Sequence, residues 1–282
     1  MSEERSYVIG THDAEIERLG VQHRVWRPRV LDFWRESGIT QGRTVIDAGC
    51  GPGYATLDLA EIVGPTGRVI ALERSRRFLD ALEAAAKARG LANIQAIETD
   101  LIDFDWASLS ADFLWCRWVL AFIPSPGAIV AGMARALKPG GAALFHEYYD
   151  YASWRLAPLM PVFEDYVARI IARWRATGSE PDAALALPAQ LVAAGLRVEA
   201  VHPHVFAARM NDFAARWPMG FAREYLPVMI AQGDLSHGEG DIIARVLDAA
   251  EADSNSIVIT PGVLHIRAVK PEQFPSSRVS IA

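Results

Sequence analysis

The chain has 282 residues and a formal net charge of −6, and 51% of its residues are hydrophobic. That hydrophobic share supports a sizeable core and excludes a disordered chain. The acidic balance and the lack of a long Lys or Arg run argue against a nucleic-acid backbone as partner. The densest basic group, Arg74, Arg76 and Arg77, has acidic neighbours and is typical of a solvated helix start.

The two cysteines, Cys50 and Cys116, are isolated in the sequence and indicate neither a disulfide framework nor a metal site. The N-terminus is polar and acidic, unlike a signal peptide, and no apolar stretch is long enough to span a bilayer. We therefore expect a cytoplasmic protein that has no metal and binds neither membrane nor nucleic acid.

The first predicted element is a helical region over residues 11–36. We expect Pro28 to interrupt it and leave a pair of helices, because proline removes a backbone donor and clashes with the preceding turn. We interpret residues 1–42 as an N-terminal helical cap. It either folds over a ligand as a lid or only covers one sheet edge.

A glycine-rich turn follows between a β-branched strand and a helix. Glycines 49, 51 and 53 alternate along it, so a ligand can lie against bare backbone, and the helix start favours a phosphate or a carboxylate. A dinucleotide-binding turn needs its third glycine where Tyr54 stands. A P-loop is excluded because no Gly-Lys-Ser or Gly-Lys-Thr follows.

Strands and helices then alternate along the chain. Strands are predicted at 68–73, 94–98, 111–115 and 142–147, and helices at 77–89 and 129–137. Such alternation predicts a parallel sheet with crossover helices on both faces.

The pattern changes after the fifth strand. A long apolar stripe predicts a helical insertion over residues 155–174, and residues 211–253 are again helical. Between them, a helix at 188–194 and a strand at 196–201 are expected. Residues 257–269 form either one bent strand or two short ones.

At Asp47, Gly49, Gly51 and Gly53 the chain resembles the class I S-adenosylmethionine-dependent methyltransferases, whose first motif is an acidic residue followed by Gly-x-Gly-x-Gly. The resemblance implies an α/β fold. Its doubly wound, mostly parallel seven-stranded sheet has helices on both faces, and this chain adds N-terminal helices and a helical insertion after the fifth strand.

The resemblance also implies how the chain is divided. Residues 43–150 are expected to be the cofactor-binding half of the core. Residues 151–282 are expected to complete the core and to carry helical insertions that form the substrate pocket.

The resemblance implies S-adenosylmethionine as cofactor and assigns residues to it. Glu73, with its neighbour Arg74, ends the second strand, where an acidic residue accepts from both ribose hydroxyls. Asp100 accepts from the adenine amino group, and Leu101 packs on the ring. Cys116 and Arg117 are expected where the family's chain passes the methionine part of the cofactor, mostly through backbone carbonyls.

Two alternative roles are open for Arg117, which can instead face an acidic substrate or form a structural salt bridge. For catalysis, His146 and Glu147 leave the carboxyl end of the fifth strand, where ligands bind in open α/β sheets. Strand side chains alternate, so one of the two is expected to point toward the pocket and act as a general base. Tyr148, Tyr149 and Trp154 are the predicted pocket wall.

We interpret the chain as a methyltransferase that modifies an oxygen, nitrogen or carbon nucleophile of a small, apolar or aromatic acceptor, in a monomer or a homodimer. One alternative is a protein that binds S-adenosylmethionine without transferring its methyl group. Another is an NAD-dependent oxidoreductase, against which the glycine spacing argues.

Overall fold

A computed structural model describes residues 10–272 of the chain. Its main sheet has seven strands, which are mostly parallel. In chain order they are β1 Thr44–Ala48, β2 Arg68–Glu73, β3 Ile94–Glu98, β4 Ala111–Arg117, β5 Leu137–Asp150, β7 Arg197–His204 and β10 Gly262–Val269. Their order across the sheet is β3-β2-β1-β4-β5-β10-β7, and β10 is antiparallel to both of its neighbours. The predicted fold class is confirmed.

Eight α-helices accompany the strands within the described residues. They are α1 Asp13–Ser37, α2 Tyr54–Val63, α3 Arg76–Ala88, α4 Gly127–Ala136, α5 Pro161–Ala176, α6 Leu187–Ala193, α7 Arg216–Ala231 and α8 His237–Ala252. The two sheet faces bury different helices because successive strand side chains alternate. Val45 of β1 packs in one cluster with α1, α2 and α5, whereas its neighbour Ile46 packs in a second cluster with α4 and α6.

The N-terminal region is one helix rather than the predicted pair. α1 runs through Pro28 and ends at Gly38, whose φ is +93°. Proline removes a single donor from the helix, and the burial of Trp26 and Trp34 against the rest of the protein compensates for that loss. Tertiary packing therefore outweighs the tendency of Pro28 to break the helix.

A second, three-stranded antiparallel sheet is absent from the sequence-based prediction. It consists of β6 Arg155–Ala157, β8 Ala207–Arg209 and β9 Ile257–Ile259, with β9 in the middle. The predicted helix over 155–174 consequently begins only at Pro161. The C-terminal segment proves to be two strands, β9 and β10, which belong to different sheets. Strands this short carry little local signal, and their partners lie far away in sequence.

Candidate functional site

The described residues enclose a cavity of about 660 Å³ at the carboxyl ends of β1 to β5. One wall comes from the glycine turn after β1, the end of β2, the loop after β3 and the end of β4. The opposite wall comes from α1, α5 and α7 together with the segment after β5. The size is that of a pocket for a cofactor or a small ligand, and the place is where open α/β sheets bind them. All three predicted chain divisions contribute residues; their boundaries stay a prediction.

The glycine turn is bonded to the neighbouring strand β2. The backbone N–H groups of Gly49 and Cys50 both donate to the Leu72 carbonyl, at 2.8 and 3.0 Å. The Gly51 N–H donates to Glu73 Oε2 at 3.0 Å. These donors point to the protein and not to a ligand phosphate. The turn therefore suits a cofactor without a pyrophosphate.

The three glycines of the turn have different tasks. All have positive φ, between +55° and +84°. Gly51 faces open space, whereas a Cβ on Gly49 would lie 2.4 Å from Val119 and one on Gly53 2.3 Å from Leu82. Gly49 and Gly51 line the cavity, but Gly53 does not. Gly53 lets α2 approach α3 closely, and its role in cofactor binding stays a prediction.

Glu73 is buried at the end of β2, and its carboxylate is fixed by backbone donors. Oε1 accepts from the N–H groups of Arg74 and Ser75 at 2.8 and 2.9 Å, and Oε2 accepts from Gly51. Charge-assisted bonds of this kind are strong and set the direction of the acceptor. Glu73 and Arg74 both line the cavity, as the sequence predicted.

Asp100 and Leu101 follow β3 and also line the cavity. Asp100 Oδ1 accepts from the Ile102 N–H at 2.9 Å, which is the bond of a short Asx turn. Leu101 is buried and offers an apolar surface. One carboxylate and one aliphatic side chain are therefore neighbours in sequence after β3. This strand pairs with β2, whose last residue is Glu73.

Asp47, the acidic residue before the glycines, is a buried carboxyl in the cavity wall. The Thr56 hydroxyl donates to its Oδ2 at 2.6 Å. Burial raises the pKa of Asp47 to about 6, although the Thr56 bond and the charge of Arg117 act in the opposite direction.

Arg117 ends β4 and lines the cavity, while Cys116 does not. Both Nη atoms of Arg117 lie 3.4 Å from His23 Nδ1. His23 Nε2 lies 3.1 Å from Asp58 Oδ2, and Asp58 in turn accepts from Arg27. This series of polar contacts joins α1, α2 and β4. The fully buried Cys116 has its Sγ 3.9 Å from Glu147 Oε1, and its cofactor contact through the backbone stays a prediction.

Neither predicted base reaches the cavity. His146 is completely buried between Trp26 and Trp118, and its Nδ1 lies 2.8 Å from His265 Nε2. Burial lowers the pKa of His146 well below 6.5. The expectation that either His146 or Glu147 points into the pocket is corrected, because α1 covers the face of β5 on which His146 lies.

Glu147 lies on the opposite face of β5 and holds the loop after β4. Its Oε1 accepts from the N–H groups of Val119 and Leu120 at 2.9 and 3.2 Å. Burial raises the pKa of Glu147 to about 7. The loop that it fixes contains Trp118, whose φ is +53°, and Trp118 and Val119 line the cavity. Glu147 thus shapes the cavity wall without facing a ligand.

Several side chains of the cavity lining are aromatic. Trp118, Tyr148 and Trp217 have nearly parallel rings, with interplanar angles of 1° to 23° and centroids 5.3 to 6.4 Å apart. Tyr151 and Trp154 continue this wall. Tyr148 and Trp154 line the cavity, and their contact with a substrate stays a prediction. Tyr149 packs against Gly262 outside the cavity, because it alternates with Tyr148 along β5.

Two helices contribute cavity residues that the sequence analysis did not identify. α7 supplies Trp217, Phe221 and Tyr225, and their spacing of four residues is a signal for a single helix face. α1 supplies a charged pair, in which Arg18 donates twice to Glu15 at 2.6 Å. Within residues 10–272, no three His, Cys, Asp or Glu side chains are grouped as metal ligands, and no helix is long and apolar enough to cross a membrane.

The sheet order, the glycine turn and the acidic residues at the ends of β2 and β3 define a class of protein: the chain is similar to the class I S-adenosylmethionine-dependent methyltransferases. A family described as "Methyltransferase domain" matches residues 39–177. The match covers the glycine turn, Glu73, Asp100 and the first part of the aromatic lining.

A demethylmenaquinone methyltransferase of Staphylococcus aureus is 29% identical to this chain over 147 residues. The alignment covers 52% of this chain and 56% of that protein, so the chain spans about half the length of the curated relatives it matches. Two solved structures share the fold at low identity. The YcgJ protein of Bacillus subtilis is 15% identical, with a TM-score of 0.56 over 89% of this chain and 99% of its own. The [4+2]-cyclase SpnF is 18% identical, with a TM-score of 0.54 over 86% of this chain and 81% of its own.

Proposed function

We propose that this protein transfers a methyl group from S-adenosylmethionine to a small, planar aromatic acceptor. The observation that carries the proposal is one cavity lined by two chemically different sets of residues. Glu73, Asp100 and Asp47 make up one set, and the parallel rings of Trp118, Tyr148 and Trp217 make up the other.

The polar set fits the cofactor. Glu73 is held by three backbone donors with its carboxylate in the cavity wall, as acceptance from ribose hydroxyls requires. Asp100 is an acceptor for the adenine amino group, with Leu101 as the apolar surface beneath the ring. Asp47 is the anion for the methionine ammonium group. When bound, the cofactor supplies an electrophilic methyl group on a positively charged sulfur.

The aromatic set determines the class of acceptor. Parallel rings present flat apolar faces on which a planar molecule can stack, and such ring contacts contribute about 0.5 to 1.5 kcal/mol each beyond burial. The similarity to a demethylmenaquinone methyltransferase agrees with a quinol-like acceptor. We infer a hydroxylated aromatic ring whose oxygen or adjacent ring carbon receives the methyl group.

The chain itself contributes orientation and exclusion of water. In-line displacement needs the nucleophile, the methyl carbon and the sulfur to be aligned, and orientation alone can supply about 7 to 11 kcal/mol. α1 and α7 enclose the cavity from the side opposite the strand ends, and Glu147 fixes the loop that carries Trp118. These elements hold an acceptor against the aromatic rings that line the cavity.

One alternative from another functional class is a protein that binds S-adenosylmethionine without methyl transfer. The fold is shared with a cyclase, so the fold does not decide the reaction. The two readings differ in the product, which makes the choice experimental.

The test is to incubate the protein with S-adenosylmethionine and 1,4-naphthalenediol under reducing conditions and to analyse the products by mass spectrometry. We expect a methylated naphthalene product and a matching amount of S-adenosylhomocysteine. Trp217→Ala is the matched variant, since it removes one ring of the acceptor wall and should lower the yield. Binding of the cofactor without product from any hydroxyarene tested would favour the alternative.

A further inference from the structure

Arg117 interacts with both sets of cavity residues. It ends β4, and its charge acts on Asp47 in the cofactor wall. Its guanidinium carbon lies 5.4 Å from the centre of the Trp118 ring, which belongs to the aromatic wall. Arg117 is therefore a cation that acts on both the Asp47 carboxyl and the Trp118 ring.

The charge of Arg117 is not cancelled by a carboxylate contact. Two other arginines of the cavity face carboxylates, Arg18 at 2.6 Å from Glu15 and Arg173 at 3.3 Å from Asp234. Between residues 10 and 272, no carboxylate oxygen lies within 4.0 Å of the Arg117 nitrogens. Its hydrogen-bonding partner is the imidazole of His23.

His23 fixes the guanidinium without neutralising it. Arg117 can only donate, so His23 Nδ1 accepts and its Nε2–H donates to Asp58. Burial lowers the pKa of His23, which keeps the ring uncharged. Arg117 has five N–H donors, and the bonds to one nitrogen leave the others for a ligand. The result is an oriented cation in the cavity wall.

The cavity also lacks an obvious acceptor for a substrate proton. None of its described lining residues is a histidine. Glu15 is paired with Arg18, and Asp47 accepts from Thr56 on the cofactor side. Burial raises the pKa of Tyr148 well above its ordinary value, so its hydroxyl stays protonated. An acceptor that has already lost its proton needs none of these groups.

We propose that Arg117 binds the acceptor as an oxyanion and so replaces a general base. The inference rests on the proposed methyltransferase function and adds that the acceptor is an acidic hydroxyarene. The hydroxyl proton leaves to solvent on binding. A lone pair of the oxyanion then forms the bond to the methyl carbon, and the electron pair of the broken carbon–sulfur bond stays on sulfur. If a conjugated ring carbon attacks instead, the proton on that carbon is lost to water afterwards.

The test uses 4-nitro-1-naphthol, whose anion absorbs visible light while its neutral form does not. The probe is titrated with pH in the complex of the protein with S-adenosylhomocysteine. An adjacent cation lowers the pKa of an acid by about 1 to 3 units, so the bound probe should ionise at a pH at least one unit lower than in water. Arg117→Met should abolish this difference, and Arg117→Lys should retain part of it.

Two comparisons make the assignment specific. Arg173→Met removes a cavity arginine that already faces Asp234, and it should leave the ionisation of the bound probe unchanged. S-Adenosylhomocysteine and 5′-methylthioadenosine differ by the amino-acid part that carries the cofactor carboxylate. Arg117→Met should weaken binding of both by similar factors of less than about threefold, because the proposed contact is to the acceptor.

Several results would overturn the proposal. The probe could ionise equally in the wild-type and Arg117→Met complexes, or Arg173→Met could abolish the effect as well. Arg117→Met could also weaken the binding of S-adenosylhomocysteine at least tenfold and change the binding of 5′-methylthioadenosine only slightly. That result would assign Arg117 to the cofactor carboxylate. A wild-type complex that does not bind the probe would contradict the acceptor class. Failure of the wild-type protein to bind S-adenosylhomocysteine at all would instead refute the proposed function.

Discussion

Replacing Glu147 by glutamine distinguishes a structural carboxylate from a catalytic one. In the structure, Oε1 accepts from two backbone N–H groups, and Oε2 has no partner within the described residues. The glutamine amide oxygen can take the position of Oε1 and keep both bonds. The substitution therefore preserves the loop after β4 and removes the ionisation of a buried carboxyl.

The effect on stability follows from the pKa. Burial raises the pKa of Glu147 from 4.5 to about 7. Between these values the folded protein binds more protons than the unfolded chain, so the free energy of unfolding falls as pH rises. One pKa unit corresponds to about 1.4 kcal/mol, so the contribution lost between pH 5 and pH 8 is about 2 to 3 kcal/mol.

Urea unfolding followed by tryptophan fluorescence at pH 5, 6, 7 and 8 measures this loss. Across that range, the wild-type protein should lose about 2 to 3 kcal/mol more than Glu147→Gln does. Other buried carboxyls, such as Asp47, affect both proteins equally and cancel in the comparison. Parallel pH profiles for the two proteins would refute the reasoning.

The same variant tests the catalytic role that the sequence suggested. A general base contributes a factor of about 100 to 10,000, whereas the structural role predicts a loss in kcat of less than about tenfold. Glu147→Ala is the control. It leaves the Val119 and Leu120 N–H groups without their acceptor and should reduce stability and activity together. A large loss of turnover in a stable Glu147→Gln protein would restore the role as base.

Three further substitutions have defined outcomes. Glu73→Gln should weaken the binding of S-adenosylhomocysteine, measured by calorimetry, by about tenfold to a hundredfold, because an amide cannot accept on both sides as the carboxylate does. An unchanged Kd would remove Glu73 from the ribose role. Trp217→Ala should raise KM for planar acceptors and leave cofactor affinity nearly constant, and the opposite pattern would remove Trp217 from the acceptor wall. His146 has its pKa lowered below 6.5, so it supports stability above pH 6.5 and loses it as pH falls. His146→Phe should accordingly flatten the acid side of the stability curve, and equal steepness would contradict the buried, neutral imidazole.

The cofactor side of the site was predictable because its signals are local and ordered. Glu73 ends β2, Asp100 and Leu101 follow shortly after β3, and the carboxyl ends of parallel strands meet at one edge of the sheet. Glu73, Asp100 and Leu101 therefore came together once the strands were identified. Even here the sequence could not show that the turn amides are already bonded to Leu72 and Glu73.

The acceptor side was less predictable because it depends on what covers the strand ends. Alternation along β5 was anticipated, but neither face at His146 and Glu147 is open. α1 covers one, and the loop after β4 folds onto the other. Trp217 and its partners on α7 have regular helical spacing, yet only tertiary packing brings that helix over the cavity. The three-stranded sheet was missed for the same reason, since Arg155 pairs with Ile259.

We propose that the cavity binds S-adenosylmethionine through the residues at the strand ends. Calorimetric titration of the purified protein with S-adenosylmethionine, S-adenosylhomocysteine and NAD tests it most directly. We predict binding of the first two and none of NAD, because the Gly49 and Cys50 N–H groups are occupied by Leu72 and cannot hold a pyrophosphate. Binding of NAD without either sulfur compound would contradict the account.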